Sequence, residues 1–268
     1  MDVPGYAVIT GGASGMGREC AKKFAFDGAA GVALLDLNAS ALESVKKEAE
    51  SLSQNKDFKV VTHQLDVSNE TEVNKVIDNV VQAFGRIDYV VNAAGVAFKH
   101  EGGAAFAETK DWKRVLEINL DGTFYVLRAA AKVMLKQDPI KSAIDGRELQ
   151  RGSIVNFASV AGLTGIPTST AYTASKHAVI GLTRTASEDY ARQGLRINAV
   201  CPGYIDTPMT RSTPLIIKAM EERTKVWTPM GRAGKPEELA DAVIFLSGGR
   251  SSFITGSAMV VDGGYTER

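Results

Sequence analysis

Short runs of consecutive apolar residues alternate along the chain with longer stretches in which apolar positions return every three or four residues. The short runs read as strands at Tyr6–Thr10, Gly31–Asp36, Lys59–Leu65, Tyr89–Asn92, Ser153–Ala158, Arg196–Val200 and Ser257–Val261. Short, largely apolar strands of this kind are covered on both faces. The longer stretches, Glu70–Phe84 among them, read as amphipathic helices. Strand and helix in alternation predict an α/β fold, doubly wound, with a parallel seven-stranded sheet flanked by helices on both faces. No linker, repeat or low-complexity block breaks the pattern, so residues 1–268 are expected to form a single domain.

Two stretches depart from this rhythm. Gln137–Arg151 (QDPIKSAIDGRELQR) exceeds the usual helix-to-strand connection of about 2–6 residues. In a doubly wound fold it lies at the amino ends of the strands, away from the ligand crevice, and reads as surface decoration. Tyr204–Arg232 reads as a mostly irregular stretch at the carboxyl end of the sixth strand, where substrates enter. Its Ile205, Met209, Leu215, Ile216, Ile217, Met220 and Trp227 fit an apolar lid or, equally, a packed helix with loops.

Composition narrows the function classes. Apolar residues make up 44% and charged residues 23%, an ordinary globular balance. Lys plus Arg equals Asp plus Glu at 31 each, and no basic stripe is visible, so neither a nucleic acid nor an anionic membrane is an expected partner. Cys20 and Cys201 lie far apart and match no metal spacing, which favours a reduced intracellular protein over a disulfide scaffold. His63 and His100 have no metal-like partners either, and no metal is expected. No apolar run approaches the roughly 18 residues of a membrane span. The opening MDVPGYAVIT lacks a basic region followed by a long apolar stretch, and the final YTER is not a targeting tail. The expected location is cytoplasmic.

Candidate chemistry gathers at strand ends. The first strand runs into TGGASGMG, Thr10–Gly17, and then a helix. A strand, a glycine-rich turn and a helix amino terminus make a phosphate site, because the backbone approaches closely and free N–H groups meet the anion. The spacing is Gly11-x-x-x-Gly15-x-Gly17 rather than G-x-G-x-x-G. Asp36 ends the second strand 19 residues after Gly17, a position from which a carboxylate accepts ribose hydroxyls. It would repel a 2′-phosphate, and its neighbours Met16 and Leu37 supply no cation, which favours NAD over NADP; Arg18 is the nearby base. An ordinary turn acid would look the same. In AYTASKHAVIGL, Tyr172 and Lys176 stand four residues apart on one helical face. Alone, that pair reads as a solvated lysine beside a half-buried tyrosine.

Taken together, TGGASGMG, Asp66-Val67, NAAG at Asn92–Gly95, Asn119 in LEINLDGTF, Ser159 in IVNFASVAG, Tyr172-x-x-x-Lys176 and NAVCPGYIDTPM at Asn198–Met209 resemble the short-chain dehydrogenase/reductase family. The resemblance runs the whole length, from YAVITGG to MVVDGGY. It implies a Rossmann-type fold with a cofactor half over about 1–150, a catalytic and substrate half over about 151–268, and a substrate lid over about 204–232. It implies that Gly11, Ser14, Gly15, Met16 and Gly17 hold the pyrophosphate side, with Asp36 and Leu37 at the ribose. Asp66 and Val67 would border the adenine, and Asn92, Ala93 and Gly95 would line the centre. Pro202, Gly203, Ile205 and Thr207 would hold the nicotinamide end, joined by Tyr172 and Lys176. Asn119, Ser159, Tyr172 and Lys176 would form the catalytic tetrad. Family members are usually homodimers or homotetramers, built on segments corresponding to Trp112–Lys136 and Thr170–Arg192. Val115, Leu116, Phe124, Leu127, Val133, Met134, Val179 and Leu182 are the candidate contacts there.

The chemistry explains the residue types. Moving a hydride between an alcohol carbon and nicotinamide requires a proton to move at the oxygen, and a phenol of pKa about 10 is a poor base at neutral pH. Lys176 and a positive nicotinamide are expected to lower it, so that Tyr172 serves as general base in oxidation and general acid in reduction. Ser159 would orient the substrate oxygen, and Asn119 would hold a water relaying protons from Lys176. Asp121-Gly122 is a poor helix pair and predicts a local kink beside Asn119. His177 and Cys201 read as bystanders. Val96, Ala97, Phe98, Val160, Ala161, Leu163 and Ile166 make the expected pocket rim apolar, although Arg211 and Lys218 leave room for a charged substrate. The expected function is an NAD-dependent oxidoreductase interconverting a secondary alcohol and a ketone on a bulky lipophilic substrate such as a terpenoid, steroid or polyketide. The alternatives are an NADPH-dependent ketone reductase of the same fold and a nucleotide-binding scaffold without turnover.

Overall fold

In the computed structural model, seven strands run parallel in the order β3-β2-β1-β4-β5-β6-β7. The structure describes residues 3–211 and 214–267, apart from the side chains of 214–216 and 219. The strands are β1 Tyr6–Thr10, β2 Gly31–Asp36, β3 Lys59–Gln64, β4 Tyr89–Asn92, β5 Gly152–Phe157, β6 Leu195–Pro202 and β7 Ala258–Val261. After β1 the chain builds outward through β2 and β3, then returns to place β4 on the other side of β1. That reversal opens a crevice at the carboxyl ends of β1 and β4.

Alternation along each strand splits the core in two. Ala7 and Ile9 face one layer, packed under helices α1 (Gly15–Phe26), α2 (Ala39–Leu52) and α8 (Pro236–Ser247). Val8 faces the other, under α3 (Glu70–Phe84), α5 (Gly122–Met134) and α6 (Thr170–Tyr190). Asn38 and Asn69 cap α2 and α3 by accepting the Ala41 and Glu72 N–H groups. A Gly85 in left-handed conformation (φ 79°) ends α3.

The structure revises four sequence expectations. Trp112–Lys136 is interrupted: α4 (Thr109–Leu116) passes through a π turn at Glu117–Asp121 into α5, and this is the irregularity found where a kink is expected beside Asp121-Gly122. Tyr204–Arg232 contains a 14-residue helix, α7 (Pro214–Trp227), begun by a proline at a position where no intrahelical N–H is needed. Of the apolar residues expected in a lid, Ile205 and Met220 are buried, Met209 and Trp227 are exposed, and the side chains of Leu215 and Ile216 lie outside the described residues. Of the candidate subunit contacts, Val115, Leu127, Met134 and Val179 are spent on the chain's own core, leaving Leu116, Phe124, Val133 and Leu182 partly exposed.

The 137–151 segment folds as a short hairpin bridged between Lys141 and Glu148, beside the amino ends of β4 and β5. It is tied down by Arg196 in β6. That buried guanidinium donates to Gln150 Oε1 (3.4 Å), Ser247 O (2.9 Å), Gly248 O (3.2 Å) and Ile254 O (3.2 Å). It thus closes the carboxyl end of α8, where orphan carbonyls gather negative potential. Burial lowers its pKa to about 10. Arg196→Met would strand those carbonyls and is expected to cost about 2 kcal/mol. The check is urea unfolding, in which the midpoint falls while the slope stays unchanged.

Candidate active site

The cleft at the β1–β4 reversal is built on glycines that admit no side chain. Gly11 has φ 65°, and a Cβ there would stand 2.9 Å from the Ala94 amide nitrogen. A Cβ on Gly17 would stand 2.2 Å from the Gly11 carbonyl oxygen, so the first turn of α1 rests directly on the loop before it. Ser14 precedes α1 in extended conformation and makes no side-chain cap, which leaves first-turn N–H groups turned to the cleft.

A cavity of about 270 Å³ brings together Gly11, Ser14, Gly15, Met16, Gly17, Asp36, Leu37, Asp66, Val67, Ala93, Gly95 and Thr207. Leu35, Leu65, Ala94, Val96, Ile118, Pro208 and Met209 complete it and were not singled out as ligands from sequence. Six expected residues do not line it: Tyr172 and Lys176 stand beside it, and four stand elsewhere. Asn92 is buried in the sheet, donating Nδ2–H to Asn156 Oδ1 at 2.9 Å. Pro202 pairs with Val261, and Gly203 packs on Asp262. Ile205 lines a separate small cavity with Tyr204 and Met230.

Charge in the cleft is settled by local partners. Asp36 Oδ2 accepts the Ala13 N–H and Oδ1 accepts the Asn38 N–H, both at 3.1 Å. Arg18 is turned away, ion-paired to Glu19 and Glu48 at 2.7 and 2.6 Å. Burial works to raise the Asp66 carboxyl, but the Ser68 hydroxyl and amide together with Arg114 hold it below its ordinary value.

Beside this cleft the four tetrad residues converge. Ser159 caps a short turn at Val160–Gly162, its Oγ accepting the Ala161 N–H at 3.1 Å, and its hydroxyl is near enough to the Tyr172 phenol to favour the phenolate. Lys176 is buried and donates to the Phe157 carbonyl at 2.6 Å, with its amine 5.6 Å from the Tyr172 ring centroid. Asn119 sits in the π turn with its carboxamide fully engaged. Oδ1 accepts the Val96 N–H (2.9 Å), while Nδ2 donates to Val96 O (2.9 Å) and Ser175 Oγ (3.1 Å). Its own carbonyl accepts the Thr123 hydroxyl at 2.8 Å. Gly95 joins the two regions: a Cβ there would lie 3.2 Å from Asn119 Oδ1 and 3.6 Å from Lys176 Nζ.

Two findings bear on the expected chemistry. The Asn119 side chain is occupied as a clasp on Val96, so the water expected at this residue would be met by its backbone. In the protein alone Tyr172 is shifted upward: burial raises its pKa, the Ser159 hydroxyl opposes that, and the Cys201 sulfur adds to the rise. Burial brings Lys176 down to about 8. Cys20 and Cys201 are both buried thiols; burial raises the first strongly and lifts the second to about 11. His177 is exposed, its Nδ1 2.9 Å from the Thr173 carbonyl, and takes no part. Ser175 was missed although it stands next to Lys176, since its partner Asn119 is 56 residues away in sequence.

Comparison with known proteins agrees with this geometry. A family model described as enoyl-(acyl carrier protein) reductase matches residues 11–266. The short-chain dehydrogenase fogB of Aspergillus ruber is 41% identical, over 99% of this chain and 98% of its own. The 2-(R)-hydroxypropyl-CoM dehydrogenase of Xanthobacter autotrophicus is 37% identical, over 97% of this chain and 98% of its own. The crystal structure of levodione reductase superposes with a TM-score of 0.86 at 34% identity, covering 98% of each chain.

The Tyr172 shift has a direct check. In the absence of cofactor, the phenolate absorbance lost on Tyr172→Phe is expected only above pH 10, because a raised acid stays protonated through its ordinary value. A Tyr172 phenolate already present at neutral pH would contradict the assignment.

Proposed function

Since the chain belongs to the short-chain dehydrogenase/reductase family, whose members bind a nicotinamide dinucleotide and act on CH–OH groups, we propose that it is an NAD-dependent oxidoreductase interconverting a secondary alcohol and a ketone on a bulky lipophilic substrate. The cofactor choice is carried by Asp36: it faces the cleft, braced by two backbone N–H groups, while the nearby Arg18 is paired to Glu19 and Glu48. A 2′-phosphate would meet a fixed negative charge there.

The residues present fit the dinucleotide. Gly11 and Gly17 keep the cradle free of side chains, and the open first turn of α1 offers N–H donors to a pyrophosphate. Asp66 and Val67 border the far end, and Gly95 and Thr207 the middle. When bound, the nicotinamide accepts a hydride in oxidation and donates one in reduction.

The protein's share is the proton and the placement. The Tyr172 phenolate takes the proton from the alcohol in oxidation, and the phenol gives one to the ketone oxygen in reduction. Burial alone opposes the phenolate this requires, so a nearby positive charge is needed to form it. Lys176, with its pKa near 8, keeps most of its charge at neutral pH and sits 5.6 Å from the ring centroid. The Ser159 hydroxyl, near the phenol, orients the same substrate oxygen. Asn119 fixes Val96 at the cleft wall and, through Ser175, the first turns of α6. Ser175 in turn donates to the Tyr172 carbonyl at 2.7 Å.

An apolar entrance supports the lipophilic substrate. Phe98, Leu163 and Met209, on the segments after β4, β5 and β6, are all exposed. Of the bases that left a charged substrate open, Arg211 is ion-paired to Asp206, and Lys218 lies 3.9 Å from Glu222 on the same exposed helix face. The proposed assembly is a homodimer or homotetramer, and the proposed location cytoplasmic; among the described residues no helix is long and apolar enough to cross a membrane.

Calorimetric titration with NAD⁺, NADH, NADP⁺ and NADPH tests the cofactor, with the non-phosphorylated pair expected to bind more tightly. Asp36→Ala is expected to erase most of that preference. Preference of the native protein for NADPH would transfer the reading to ketone reduction. With a lipophilic secondary alcohol as substrate, Tyr172→Phe should lower kcat by roughly a thousandfold while leaving NAD⁺ affinity within about twofold.

A further inference from the structure

The outer wall of the cleft is the loop Leu65-Asp66-Val67, which leaves β3, the edge strand of the sheet. An edge strand has a neighbour on one side only, so the ladder alone does not dictate where its exit loop stands. The loop is instead gripped from the α4–α5 helices. Arg114, in the last turn of α4, donates Nη2–H to Asp66 Oδ2 (3.2 Å) and Nη1–H to Ser68 Oγ (3.0 Å). Ser68 in turn donates its N–H and its hydroxyl to Asp66 Oδ1, at 2.9 and 2.6 Å. The carboxylate is therefore held at both oxygens.

The next residue is gripped as well. A Cβ on Gly122 would stand 2.7 Å from Val67 Cγ2 and 3.2 Å from Val67 O, so the start of α5 lies directly on Val67. Arg114 and Gly122 flank the π turn that carries Asn119. One helical piece thus holds the Asp66-Val67 wall on one side and Val96 on the other.

We propose that Arg114 is a positioning residue for recognition of the cofactor's adenine. It holds the Asp66 carboxylate in the orientation that accepts a hydrogen bond from the exocyclic amine of the base. This rests on the dinucleotide reading of the cleft given above. Arg114 and Asp66 are both partly exposed, with side-chain accessibilities of 40% and 33%. An ion pair of that exposure contributes little to global stability, so its loss acts on orientation and leaves the fold intact. Two features favour guanidinium over ammonium. The forked group reaches Asp66 and Ser68 at once, and it fixes the carboxylate's plane as well as its charge.

The test is the affinity of native protein, Arg114→Gln and Arg114→Lys for NAD⁺ and for nicotinamide hypoxanthine dinucleotide, which has an oxygen in place of the adenine amine. Native protein is expected to prefer NAD⁺ by roughly tenfold or more, the worth of one hydrogen bond to a charged acceptor. Arg114→Gln should weaken NAD⁺ to the level of the analogue while leaving the analogue's affinity and the Tm unchanged. Arg114→Lys should fall between. In turnover the change should appear in KM for NAD⁺ and not in kcat. Equal weakening of both dinucleotides, or an NAD⁺ preference that survives in Arg114→Gln, would overturn the positioning role. So would native protein that binds both dinucleotides equally, although the cofactor reading would then stand. Failure of native protein to bind either dinucleotide would overturn the cofactor reading itself, and the Arg114 proposal with it.

Discussion

A lysine ammonium is buried at the carboxyl end of β5, and the arrangement of the site depends on what was done to put it there. Lys176 donates to the Phe157 carbonyl at 2.6 Å, a dipole in place of the water it gave up. Charge that is desolvated this way is costly unless its hydrogen bonds are met. The bond therefore sets α6 against the end of β5. Once that helix is placed, Tyr172 faces Ser159 one turn earlier, and Ser175 faces Asn119 across the gap. The cost of the burial is visible in the lowered pKa of Lys176, and the same burial raises that of Tyr172. The two shifts oppose the ion pair that the chemistry needs. On the mechanism proposed above, the site rests neutral at the phenol and would change its proton distribution when a positive nicotinamide enters.

The sheet reversal supplies the other half of the arrangement. Because β1 and β4 are neighbours while the chain leaves them in opposite directions, the loops after them part and leave a cleft. Glycines then bring backbone to the edge of that cleft at three places. Gly17 lets α1 rest on Gly11, Gly95 lets the β4 loop pass Asn119 and Lys176, and Gly122 lets α5 touch Val67. A methyl group at Gly17 or Gly122 would overlap its neighbour, and at Gly95 it would crowd it. Polar clasps complete what close approach begins. Asn119 holds Val96 by both its N–H and its carbonyl, in the manner of a neighbouring strand.

Much of this could be read before the structure. β1, β2, β4 and α3 have the boundaries expected from sequence, since each is an apolar pattern with polar residues at its ends. Short motifs at strand ends located most of the cleft, because parallel strands deliver their carboxyl ends to one place. The misses have a common cause. Arg114 reaches Asp66 over 48 residues of sequence and Ser175 reaches Asn119 over 56, and no local pattern carries such pairings. The upward shift of Tyr172 arises from burial by packing, which a motif does not record. For α7 the sequence leaves an apolar lid and a packed helix equally open, because Pro214 and the polar residues between its apolar ones obscure the helical period. Its proline is in fact at the start, where it does no harm.

The two cysteines carry a consequence for durability. Each thiol is shut away from solvent and pushed toward its protonated form, Cys201 within electrostatic reach of Lys176. Peroxide attacks thiolate that it can reach, and here both the charge state and the access are withheld. Oxidation of either cysteine would accordingly have to wait for the protein to open. The rate at which the two thiols are lost is then set by how often the protein opens, and added thiol reductant protects only chains that have already opened.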